Sequence, residues 1–118
     1  MMNKHEVIAK AARDAFEGKR VLLCFPKGRI AREAFQAFKE VELEGIERKF
    51  RNTSGRMEVT FPQTDGKIIF LGVNSPGHRG MSVDSLYLPS KVKDEVKISL
   101  FPCTADSKTP HIEQFDAR

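Results

Sequence analysis

At 118 residues, with 40% apolar and 31% charged residues, the chain has the composition of one folded domain with a single modest core. Its apolar runs fall well short of the roughly 20 residues that span a bilayer, and its first segment lacks the hydrophobic stretch of a signal peptide. A net charge of +4 and an isoelectric point of about 9.2 admit nucleic acid or another polyanion as a partner without requiring one.

With neither a membrane span nor a secretory leader, the expected compartment is the cytoplasm, where Cys24 and Cys103 stay reduced. Two isolated cysteines and three scattered histidines (His5, His78 and His111) match no metal-ligand spacing. No metal and no cofactor is expected.

Asn3 is placed to cap a first helix, with Glu6 completing a capping box. Val7, Ile8, Ala11, Ala12, Ala15 and Phe16 then share one helical face, and Gly18 ends it. Arg20–Phe25 is a short apolar run bounded by Gly18 and Pro26 and reads as a buried strand. Lys27-Gly28-Arg29 opens a second helix with the stripe Ile30, Ala31, Ala34, Phe35 and Phe38. Ile46–Phe50 is a short strand candidate. Met57, Val59 and Phe61 alternate with polar residues at the period of a half-buried strand. An Asp-Gly turn signal within Pro62–Gly66 and the apolar run Lys67–Leu71 complete an antiparallel hairpin. Val83–Leu88 and Val96–Phe101 are two further strand candidates after a glycine-rich loop.

Helix, strand, helix in that order points to an α/β domain over residues 1–103. The expected architecture is a central mixed sheet with two packed helices and an antiparallel edge hairpin from Arg56 to Gly72. Residues 104–118 show little periodicity and are expected to form a flexible tail.

Two basic groups are candidate contacts to an anionic backbone. In Pro26-Lys27-Gly28-Arg29, Lys27 and Arg29 stand at a helix N-terminus, whose unsatisfied amides attract phosphate. Arg48, Lys49, Arg51 and Arg56 form a second group, although a basic run by itself is also what a solvated face looks like. The loop Ser75–Ser82 presents His78 and Arg79 between Gly77 and Gly80, placed for an anion or a partner's carboxylate.

In their order, KRVLLCFPKGRIAREAF, RMEVTFPQTDGKIIFLG, SPGHRGMSVDSLYL and KISLFPCTADS resemble segments of the RecA-like P-loop ATPase core of phage large terminase subunits and related helicases. The resemblance covers about Lys4–Ser107. It implies a partial RecA-like core encoded by a phage or mobile element, with Pro26–Arg29 touching nucleic-acid backbone and the Arg79 loop beside a nucleotide. Two departures remove the chemistry. The chain has no G-x-x-x-x-G-K-[ST] phosphate-binding loop. Pro89 and Ser90 stand where the family carries the Asp-Glu pair that holds magnesium and orients water.

The expectation is therefore a protein without ATPase activity that binds nucleic-acid backbone or a protein partner, the latter an intact ATPase or a host protein. Self-association through the hairpin edge is a further expectation, because unpaired strand edges invite pairing. One alternative is a magnesium-dependent nuclease built on Asp84, Glu95 and Lys97, with Glu95 and Lys97 on one face of a strand. Another is a structural adaptor that meets no nucleic acid.

Overall fold

The protein is described from a computed structural model, which defines residues 1–53, 56–75 and 80–118. Helix α1 (Lys4–Phe16) is capped as its first residues dictate. The Glu6 amide donates to Asn3 Oδ1 at 2.9 Å, and the Asn3 amide donates back to Glu6 Oε1 at 3.2 Å. Strand β1 (Arg20–Phe25) leads through helix α2 (Gly28–Glu40) to β2 (Lys49–Thr53), β3 (Arg56–Phe61) and β4 (Gly66–Gly72). Strand β5 (Ser85–Pro89), helix α3 (Asp94–Leu100), a 3-10 turn (Phe101–Thr104) and strand β6 (His111–Phe115) complete the chain.

The six strands form one mixed sheet in the order β2-β3-β4-β1-β5-β6. The pairs β2–β3 and β3–β4 are antiparallel, whereas β4–β1, β1–β5 and β5–β6 are parallel. Strand alternation sends Val21, Leu23, Phe25, Val59, Ile68 and Phe70 to one side, where they pack with Ala11 and Ala15 of α1 and Phe35 and Phe38 of α2. Leu22, Cys24, Ile69, Leu71, Leu86 and Leu88 point to the other side and meet Leu100 and Cys103. Each fully buried Leu, Ile or Phe contributes about 1.5–3 kcal/mol of transfer free energy. With apolar layers on both sides, the parallel strands read as continuous hydrophobic runs.

Two close approaches hold this packing. A Cβ on Gly66 would lie 1.6 Å from the Ala15 carbonyl oxygen, and one on Gly72 would lie 2.6 Å from the Gly28 nitrogen. Glycine lets β4 press against the end of α1 and the start of α2.

The architecture agrees with the sequence reading in class and in its first elements, and departs from it at four places. The hairpin β3–β4 is not at an edge, because β2 covers β3 and β1 covers β4. The edges are β2 and β6. Residues 96–101, read as a strand, belong to α3 and the 3-10 turn. Residues 104–118, read as a flexible tail, contribute β6, and Phe115 is fully buried. Ile46–Phe50, read as a strand, is shifted, for β2 begins only at Lys49 and runs on to Thr53.

Candidate nucleic-acid interface

The side of the sheet that carries α1 and α2 is closed. On the opposite side, alternation along β1–β4 collects Arg20, Lys49, Arg51, Arg56 and Lys67. The registers pair Lys49 with Thr60, Thr60 with Lys67, Lys67 with Arg20 and Arg51 with Glu58, so these cations lie in neighbouring rows. Glu58 is the one carboxylate that β1–β4 place on this side among the described residues. It is buried, with Oε1 2.5 Å from Arg56 Nε and Oε2 3.7 Å from Lys67 Nζ. Arg20, Lys49, Arg51 and Arg56 are exposed. The strand aromatics Phe25, Phe50, Phe61 and Phe70 all face the helices instead.

Arg48 does a different job from its neighbours. Its Nη1 donates to the Phe38 carbonyl at 2.8 Å, and its Nη2 donates to the Val41 carbonyl. The guanidinium also lies 5.1 Å from the centre of the Phe38 ring and 5.2 Å from that of Phe50. It binds carbonyls at the C-terminal end of α2 and is part of the fold. Arg48 is thus withdrawn from the candidate contacts, while Lys67 and Arg20 join Lys49, Arg51 and Arg56. The strand registers brought the latter two in, and a reading along the chain does not reveal them.

Lys27 and Arg29 are exposed as expected but stand elsewhere, at the carboxyl end of β1. That end is the switch point of the sheet. From β1 the chain leaves through α2 toward β2, and from β5 it leaves through α3 toward β6, in opposite directions. Such a divergence opens a crevice at the strand ends. Here the crevice is about 170 Å³ and is lined by Pro26, Pro89, Ser90, Lys91, Asp116 and Arg118, among others. The Asp116 carboxylate accepts the Arg118 amide at 3.0 Å and its Nε at 3.3 Å, which holds its pKa below the usual range. His78 and Arg79 lie outside the described residues.

The nuclease constellation does not assemble. Glu95 and Lys97 sit two apart on a helix and so point about 200° apart rather than to one face. Lys97 Nζ is 3.9 Å from Asp94. Asp84 is a structural clamp. Its Oδ2 accepts the Arg20 amide at 3.0 Å and its Oδ1 accepts the Ser107 hydroxyl at 2.6 Å. Its backbone joins β1 and β6 through Arg20 O and the His111 amide. Burial opposes its ionisation, but these hydrogen bonds and the charges of Lys19 and Arg20 prevail, and its pKa is lowered.

Comparison with protein-family models, curated proteins and solved structures gives no match to this chain.

Proposed function

We propose that this chain is a non-catalytic binding protein that holds nucleic-acid backbone on the β2–β3–β4 side of its sheet. The observation that carries the reading is the sharing of one face by Arg20, Lys49, Arg51, Arg56 and Lys67 around the carboxylate of Glu58. Single-strand readers add aromatic platforms on which bases stack. This face offers cations and threonines without an aromatic ring, which favours contact to phosphates and indifference to base sequence.

The reading includes an ancestry: a partial RecA-like framework of the terminase and helicase kind, of phage or mobile-element origin. Its support is that β1, followed by Pro26–Arg29, and β5, ending at Pro89, lie parallel and adjacent with their carboxyl ends at one crevice. At that crevice Pro89 and Ser90 supply no carboxylate for magnesium, so ATP turnover forms no part of the proposal.

Fluorescence anisotropy with a labelled DNA duplex tests it. Neutralising about four phosphates predicts an affinity that falls ~100-fold between about 50 and 200 mM salt. Arg51→Glu should abolish binding of duplexes of any sequence. An Arg51→Glu protein that binds as the parent does would end the proposal.

A further inference from the structure

The two edges of the sheet are built differently. β2 presents Lys49 and Arg51, and edge cations discourage pairing with another strand. β6 itself has no lysine or arginine. Beside it stand two exposed apolar side chains, Ile112 and Phe101, each 41% exposed. A recess of about 560 Å³ opens there, lined by Leu88, Lys97, Phe101, Ile112 and Gln114 among others. Within it, the buried Gln114 Nε2 has no hydrogen-bond partner among the described residues.

The backbone of β6 is also half used. The parallel ladder to β5 takes the His111 amide, bonded to Asp84 O at 2.9 Å, and the Phe115 carbonyl, which accepts from Ser90 at 2.8 Å. By alternation, the N–H and C=O groups of Ile112 and Gln114 turn outward. Beyond them the Asp116 amide is already bonded to Met2 O at 2.8 Å.

We infer that a second copy of this chain pairs on the β6 edge, antiparallel, about a two-fold axis through Ile112. That register makes Ile112 and its symmetry mate a hydrogen-bonded pair. It also sets His111 opposite Glu113 of the other copy, twice, and joins the exposed Ile112 and Phe101 surfaces into one apolar strip. Two competing registers are less favourable. An axis through Glu113 opposes two carboxylates. An axis through Gln114 calls on the Asp116 amide, which Met2 occupies. The paired edges close both sheets into one isologous assembly.

Sedimentation equilibrium on the full chain, combined with cysteine crosslinking, tests the inference. The wild type is expected to be a dimer whose melting temperature rises with concentration, and Ile112→Lys a monomer with unchanged circular dichroism and a melting temperature independent of concentration. In the proposed register Ile112→Cys brings two Cα atoms to about 5.5 Å, within disulfide reach. Gln114→Cys leaves its mates four residues out of step, ~14 Å apart along the strands. Mild oxidation should therefore crosslink Ile112→Cys and not Gln114→Cys, the native Cys24 and Cys103 being buried. A wild type that is monomeric at its highest soluble concentration overturns the inference, whatever foreign strand the edge accepts instead. So does a dimer that survives Ile112→Lys, or crosslinking through Gln114→Cys alone.

Discussion

Arg51 of β2 stands directly opposite Glu58 of β3, and Glu58 is in turn bridged to Arg56 and Lys67. One buried carboxylate thus anchors the cations of β2, β3 and β4. Removing its charge leaves the cations in place and raises the potential of the face. Glu58→Gln is expected to tighten DNA binding about 3–10-fold at low salt, with the gain shrinking as salt rises. Anisotropy titrations of the two proteins in parallel measure it, and weaker binding by Glu58→Gln would show that the face does not act electrostatically.

Arg48 and Arg51 are three residues apart and should separate cleanly. Arg48→Ala exposes two helix-terminal carbonyls and strips a cation from between two phenylalanine rings. A loss of ~2–3 kcal/mol in urea unfolding is expected, and Arg48→Lys should recover little of it because an ammonium lacks the planar fork. Arg51→Ala, at an exposed position, should change stability by less than about 0.5 kcal/mol.

Tyr87 and Asp14 form a buried polar pair across the layer between β5 and α1, with the Tyr87 hydroxyl donating to Asp14 Oδ2. Burial first, then the bond and charge of Asp14, push the Tyr87 pKa upward. Tyr87→Phe leaves the Asp14 carboxylate without that donor in a nearly dry site and should cost about 1–3 kcal/mol. Adding Asp14→Leu should restore part of the loss, so that the double variant is more stable than the sum of the single effects predicts. Equilibrium denaturation of the three variants gives the coupling.

Asp84 should govern part of the acid limb of stability. Its folded-state pKa lies below the ordinary value of 3.8. A lowered carboxyl pKa contributes stability in full above the unfolded value, and that contribution disappears as pH falls through the folded one. The advantage of the wild type over Asp84→Asn should accordingly be largest above about pH 5 and shrink toward pH 2. Thermal melts across this range test it. A difference that grows on acidification would contradict the assignment of Asp84 as an ionised clamp.

The first half of the chain was largely legible because its signals are local. The Asn3–Glu6 capping box, the apolar run of β1, the stripe of α2 and the alternation of Met57, Val59 and Phe61 each announce one element. Residues 96–101 misled because Val96, Ile98 and Leu100 fit period two, while Val96 and Leu100 alone also fit one helical turn. Asp94 and Glu95 at the start were the overlooked helix signal. β2 and β6 are polar and short, and what orders them is pairing with β3 and β5, a relationship that no local pattern carries. The basic face was half visible for the same reason. Lys49, Arg51 and Arg56 are neighbours along the chain, whereas Lys67 and Arg20 join them only through strand register. Arg48 looked like its neighbours because the reach of its side chain back to Phe38 O depends on the turn that precedes it.

The most direct measurement is the salt dependence of duplex binding for the wild type, Lys49→Ala, Arg51→Ala and, as a control on the last turn of α2, Lys39→Ala. Each cation that touches phosphate should lower the slope of log affinity against log salt by about 0.9 when removed. Lys49→Ala and Arg51→Ala should each show that loss on any duplex sequence, and Lys39→Ala should retain the full slope. No binding by the wild type at low salt, or equal losses in all three variants, would contradict a nucleic-acid backbone site on the sheet face turned away from α1 and α2.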